Sequence, residues 1–331
     1  MIIYSPLFVN HFRTLSEWAR ETGAEVQLDC ANFELKVSWR NRFFFLFAQF
    51  VGMPNGRYAY LPTLTPDVTG FIGWLPYRPF VYALSRDKLT FKRHAQTVGL
   101  PTPQFWLAES LSDISADYVL KRSTGSFGYQ LSGPFKQALK PDQQVQPQES
   151  AGDLYAEQFI RGKILKVWFW GMRAFFAQCH SYPVVIGDGQ STARKLVEER
   201  LKTLALSWDT CTDRSAIESC LSYQGRGMDD TVAAGECLFI DYRYSRDYQP
   251  PKSALVSDNQ LALLSQPVRD QIAAAGVQIK QALMTQVTAP VLYALDGVLD
   301  EQDRVWWLEM NSNPLLPPEG YHEMFQDLFA V

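Results

Sequence analysis

The apolar and polar positions of this chain fall into short alternating runs broken by turn residues, with a few longer stretches of helical period. Residues 1–10 read as a buried strand, Leu15–Thr22 as a helix stopped by Gly23, and Glu25–Leu28 as the next strand. That opening order predicts a small β-α-β lobe, with Arg40–Val51 packed against it. Residues 52–81, rich in Pro, Gly and Tyr, carry no clear period. Arg57, Tyr58, Tyr60, Arg78 and Tyr82 are candidates to line a cleft there. Ser85 reads as the cap of a helix running to Val98. Strands follow at Gln104–Leu107, Asp117–Lys121, Leu154–Ile160, Ile164–Trp170 and Arg173–Cys179. Val167-Trp168-Phe169-Trp170 is apolar on both faces, the pattern of a sheet covered on each side. Val184–Gly189 is a strand and tight turn, Gln190–Leu206 a helix capped by Ser191 or Thr192, and Asp213–Cys220 a further helix. Leu238–Tyr244 reads as a strand, Gln266–Met284 as an amphipathic helix, and the tail from Gly320 as helical.

The most informative stretch lies near the end. Val305–Met310 is dense in strand formers, and Asp300-Glu301-Gln302-Asp303 separates it from the apolar run before Asp296. This pattern predicts a hairpin. Asp296 and Glu309 stand 13 positions apart, and Asn311 is two beyond Glu309. Residues two apart in a strand share a face, so Glu309 and Asn311 point together and the hairpin can set Asp296 opposite Glu309. Two carboxylates and an amide oxygen form a hard-oxygen set suited to Mg²⁺. An ordinary solvent-facing acidic hairpin has the same local pattern.

Composition narrows the classes. The chain has 331 residues, enough for two or three packed lobes. A net charge of −4 argues against a nucleic-acid surface. The five cysteines are scattered without a CxxC pair, which fits a reducing, cytoplasmic setting better than a disulfide framework or zinc site. No apolar run approaches the roughly 20 residues of a membrane span. The four histidines show no ligand spacing. Lys121 ends a strand and is followed by Ser123-Thr124-Gly125-Ser126-Phe127-Gly128, a turn that can offer N–H groups and an ammonium to phosphate, although it has neither the P-loop nor the G-x-G-x-x-G form.

From Ser85 to Pro318 the order of these parts resembles the ATP-grasp superfamily of carboxylate–amine ligases, with likenesses to D-alanine–D-alanine ligase, the glutamate ligase acting on a ribosomal protein, and the second half of cyanophycin synthetase. The motifs are Ser85-Arg86-Asp87-Lys88-Leu89 with Gly99-Leu100-Pro101-Thr102-Pro103; Lys121 with its Ser/Gly turn; Glu157-Gln158-Phe159-Ile160; Pro183-Val184-Val185 with Gly187-Asp188-Gly189; Asp241-Tyr242; and Asp296, Glu309 and Asn311.

The resemblance implies a fold of α/β class with α+β lobes, in which a nucleotide is held between two antiparallel-sheet lobes beside a small N-terminal α/β domain. It divides the chain into 1–84, a central lid domain over 85–160 and a catalytic domain over 161–331. Lys88, Lys121, Ser123, Ser126, Gly128, Glu157, Phe159, Ile160 and Lys166 are the implied ATP-binding residues. Asp296, Glu309 and Asn311 are the implied ligands of one or two Mg²⁺ ions, with Mn²⁺ as a substitute. Lys121 and Lys166, with Arg243 or Arg246, would aid phosphoryl transfer. Ile164 departs from the pattern, since the family commonly places an acidic residue there for the ribose hydroxyls. The implied activity is ATP-dependent, ADP-forming C–N bond formation through an acyl phosphate, on small carboxylate and amine substrates, with a peptide and a homodimer both compatible. Two alternatives stay open: a ligase with a macromolecular acceptor, and a nucleotide-binding protein without ligase activity.

Overall fold

The computed structural model describes residues 4–54, 59–124, 131–138, 152–204, 206–209, 211, 214–243 and 257–329. The chain opens with a helix, α1 (Tyr4–Thr22), where a buried strand was expected over 1–10. The apolar run at the start hides a helical period: Phe8, His11, Leu15 and Trp18 are spaced by three and four and form one face. That face packs on rings of the first sheet and of the C-terminal helix, including Phe8 on Trp74 and Trp18 on Phe325. Gly23 ends the helix at φ +72°.

Strands β1 (Glu25–Leu28), β2 (Leu35–Trp39), β3 (Arg42–Gly52), β4 (Ala59–Leu61) and β5 (Val68–Leu75) form one antiparallel sheet. The first half of β3 pairs with β2, and the second half with β4 and β5. The opening unit is thus a helix on an antiparallel sheet, not a β-α-β lobe, and residues 52–81 supply two of its strands.

After α2 (Ala83–Arg86) comes α3 (Lys88–Thr97), capped by Asp87, whose Oδ1 accepts from Thr90 N at 2.9 Å. Ser85, the expected cap, instead donates to Tyr82 O inside the preceding turn. Extended backbone at Asp87 separates the two helices. A second sheet, ordered β6-β9-β7-β8, comprises β6 (Phe105–Leu107), β7 (Tyr118–Arg122), β8 (Leu131–Phe135) and β9 (Leu154–Gln158). The long polar loop expected over 136–152 falls largely outside the described residues.

Strands β10 (Lys163–Trp170) and β11 (Arg173–His180) begin the third sheet. They are followed by β12 (Val184–Ile186), α4 (Ala193–Thr203, capped by Thr192), α5 (Arg214–Tyr223), β13 (Cys237–Phe239) and α6 (Gln266–Leu283). Then β14 (Leu292–Leu299) and β15 (Val305–Asn311) complete the order β11-β10-β14-β15, and α7 (Gly320–Leu328) ends the described chain. The strand expected over 238–244 stops at Phe239. All the sheets are antiparallel, in keeping with the expected mixed α/β class. Among the described residues no helix is long and apolar enough to cross a membrane, and the five cysteines are free.

The third sheet is covered on both faces, as its apolar pattern predicts. Val167, Phe169, Tyr293 and Leu295 face a core shared with α3 and α6. Trp168, Trp170, Leu292 and Ala294 face the first sheet and α7. Trp307, 1% exposed, ties β15 to the segment before β6: its N–H donates to Pro101 O and its carbonyl accepts from Thr102 Oγ1, both at 2.9 Å. Trp307→Ala is expected to cost about 3–5 kcal/mol, read as a lower urea midpoint with an unchanged slope.

Candidate functional site

A turn and a bulge build the site. The hairpin between β14 and β15 is closed by Asp300, whose Oδ1 accepts from the N–H groups of Gln302 and Arg304, both at 2.9 Å. Its Oδ2 accepts from Trp306 Nε1 at 2.8 Å. Leu299 pairs with Val305 and Gly297 with Trp307, but Asp296 pairs with Glu309, so Leu308 is an extra residue. The consequence is a change of face. Val305 and Trp307 point into the α3/α6 core. Unbroken alternation would send Glu309 after them. The bulge instead turns Met310 into that core and brings Glu309 and Asn311 round to the side of Asp296.

Lys166 pairs across β10–β14 with Asp296, and across β10–β11 with Gln178. A polar row therefore crosses four strands: Gln178, Lys166, Asp296, Glu309. Lys166 Nζ lies 2.8 Å from Asp296 Oδ1, and Asn311 Nδ2 donates to Asp296 Oδ2 at 3.0 Å. Buried Gln178 donates to Asp258 Oδ2 at 2.5 Å. Tyr60 of β4 keeps 39% of its surface exposed, yet partial desolvation raises its pKa against the opposing pull of Asn313 and the Lys166 charge.

The second sheet and α3 face the other end of the row. Lys88, in the first turn of α3, lies 3.2 Å from Glu309 Oε2, and its N–H donates to Ser123 O at 2.8 Å. One turn on, Lys92 is fully buried and forms an ion pair with Glu157 of β9. Glu157 also meets Lys121 of β7 at 2.5 Å. Burial alone would raise the Glu157 pKa, but Lys121 and Lys92 outweigh it and hold the carboxyl below its ordinary value. Tyr155, two residues earlier on β9, is pushed well above the ordinary phenol range by burial and by Glu157, Glu309 and Asp87. Its buried hydroxyl has no hydrogen-bond partner among the described residues. Four lysines thus interleave with the three carboxylates Glu157, Asp296 and Glu309.

The remaining expected residues distribute as follows. Ser123 is buried, and its Oγ accepts from Asp153 N at 3.1 Å. The Phe159 ring sits edge-on to Tyr223 and Tyr242, beside Tyr182 and Phe239. Ile160 O accepts from Tyr182 Oη at 3.0 Å. Arg243 is gripped by Asp241, its Nε and a terminal nitrogen reaching the two carboxylate oxygens at 2.9 and 2.7 Å. Ile164 is buried on the strand face that carries Lys166. Ser126, Gly128 and Arg246 lie outside the described residues, as do Arg57 and Tyr58. Arg78 stacks on Phe47 and pairs with Glu34, while Tyr82 is buried. Sequence reading gave no site role to Lys92, Tyr155 or Gln178, and named Thr102 only as part of a motif. The four-residue step from Lys88 to Lys92 is a same-face signal on a helix and points to the first of them.

Among the described residues no three His, Cys, Asp or Glu gather as a metal site. The set here is two carboxylates and an amide, all oxygen donors on adjacent strands, which fits a hard divalent cation bound jointly with phosphate.

No family model matches the chain, and no curated protein sequence matches it. Among solved structures it is similar to a bifunctional glutathione synthetase from Pasteurella multocida, with a TM-score of 0.43 and 13% identity over 92% of this chain and 40% of that one. A D-alanine–D-alanine ligase from Bacillus anthracis gives 0.40 and 12% over 73% and 63% of the two chains. The D-cycloserine synthetase DcsG gives 0.37 and 12% over 72% and 65%. The chain spans less than two thirds of the length of each. The functional reading therefore rests on this chain's own residues.

Proposed function

We infer that the protein is an ATP-dependent ligase of the ATP-grasp type that activates a carboxylate as an acyl phosphate and joins it to an amine. The observation that carries this reading is the bulge-directed convergence of Asp296, Glu309 and Asn311 on one sheet face, amid four lysines. In the reaction a substrate carboxylate oxygen attacks the γ-phosphorus of ATP, and the bond to ADP breaks. The amine nitrogen then displaces phosphate from the acyl carbon and loses a proton.

Asp296, Glu309 and Asn311 would hold one or two Mg²⁺, which neutralise phosphate charge when bound. Lys88 and Lys166 already balance Glu309 and Asp296. On ligand binding they exchange these carboxylates for phosphate oxygens, so little charge is left unpaired. Lys121 serves the same end from β7.

The test is phosphate release from ATP with Mg²⁺ across a panel of amino acids and short peptides. Release that needs both a carboxylate and an amine is expected; release indifferent to both sinks the ligase reading. Buried Ile164, which offers no carboxylate to a ribose, favours the second reading of a nucleotide-binding protein without turnover. ATP binding with no release for any pair would select it. Lys166→Met is expected to weaken ATP binding about tenfold, measured by calorimetry.

A further inference from the structure

Lys92 is the most deeply buried charge near the site and has no place in the mechanism above. It projects from α3 on the same face as Lys88, and its side chain is 0% exposed. Its ammonium meets Glu157 and donates to Thr102 Oγ1 at 3.2 Å. Thr102 spends its own proton on Trp307 O at 2.9 Å, so its oxygen is fixed as an acceptor for Lys92. Glu157 and Thr102 thus hold Lys92 in place. Lys121, on the other oxygen of Glu157, is 15% exposed, near the end of β7. One carboxylate has two cations of unequal freedom. Pairing a single buried charge needs only one of them, and a surplus buried cation is costly unless it serves a purpose.

We propose that Lys92 is a positioning residue that permanently neutralises Glu157, so that Lys121 can leave it for an anionic ligand. Without Lys92, departure of Lys121 would strand a carboxylate that is 3% exposed, and Lys121 would stay locked in place. With Lys92 present, Lys121 moves at little cost. The inference rests on the ATP-binding reading and adds to it a specific dependence of one lysine upon another.

The experiment is a double-mutant cycle on Mg-ATP affinity, by calorimetry on the full chain, with thermal melts alongside. Lys121→Met and Lys92→Met are each expected to weaken binding about tenfold or more, and the two together by about as much as Lys92→Met alone. A structural role for Lys92 would lower the melting temperature and leave the two losses additive. Additive losses overturn the proposal. Where Lys92→Met does not fold, Glu157→Gln and Lys92→Met/Glu157→Gln decide, since in the double variant neither charge of the buried pair remains. Lys121 has no carboxylate to hold it in either variant, so their affinities are expected to agree within about threefold. A further tenfold loss on adding Lys92→Met would mean that Lys92 acts on the nucleotide directly, and overturns the proposal. Wild-type protein that fails to bind Mg-ATP overturns the ligase reading and this inference together; binding with an additive cycle overturns this inference alone.

Discussion

Glu309→Ala is expected to fold normally and to lose about a thousandfold in phosphate release from ATP. The two halves of this expectation have separate causes. Glu309 and its partner Lys88 keep 29% and 21% of their side-chain surface, so losing their ion pair should cost at most about 1 kcal/mol. Glu309 is also the residue for which the bulge at Leu308 exists, since it is there turned from the core to face Asp296. Removing it leaves the cation two of its three proposed ligands and takes from Lys88 the Glu309 carboxylate it would exchange for phosphate. The measurement is steady-state phosphate release beside a thermal melt. A folded variant with wild-type turnover would remove the carboxylate pair from the mechanism.

Acid should unfold the protein early, through His11. This side chain is buried between Phe71, Trp74 and Tyr321. Tyr321 Oη accepts from Trp74 N at 3.0 Å, which leaves its proton for His11 Nδ1 at 2.9 Å and assigns the Nε2–H tautomer. Burial lowers the pKa of His11 from 6.5 to about 3. A histidine held neutral in the fold contributes stability that is fully present above its unfolded value of 6.5. That stability is lost as pH falls from there toward 3, because the unfolded chain takes the proton first. The loss between pH 6.5 and 5 should be about 2 kcal/mol. Glu157, with its lowered pKa, adds a loss of the same sign only at lower pH, below the ordinary glutamate range. His94, also lowered by burial, titrates in the His11 window and is subtracted by comparison with His11→Phe. Urea unfolding at pH 7, 6 and 5 should show a falling midpoint for wild type and a much flatter one for His11→Phe. Equal slopes would mean that His11 is protonated in the fold.

The particular residues show where sequence reading succeeded. The spacing of Asp296, Glu309 and Asn311 was legible because strand alternation is a local rule and Asp300 closes the hairpin locally. The strand carrying Lys166 was legible because Val167–Trp170 is apolar on both faces. The start of the chain was misread because its first ten residues, taken apart from those that follow, hide the three-and-four spacing that runs on through His11, Leu15 and Trp18, the face that packs on Trp74 and Phe325. Asp87 displaced Ser85 as the cap because its own extended backbone separates α2 from α3 and its side chain accepts from Thr90 N.

Residue type, alternation and turn chemistry were enough to mark the strands, the hairpin and the acidic and basic residues that line the proposed site. They act over a few residues and leave their trace in the order of the letters. Three features came only with the folded chain: the bulge at Leu308 that turns Glu309 toward Asp296, the pairing of Lys92 with Glu157 across 65 positions, and the alignment of Gln178 with Lys166 on a neighbouring strand. Each depends on which elements meet in space, and burial sets its energy. None of the three is written in any single stretch of the chain.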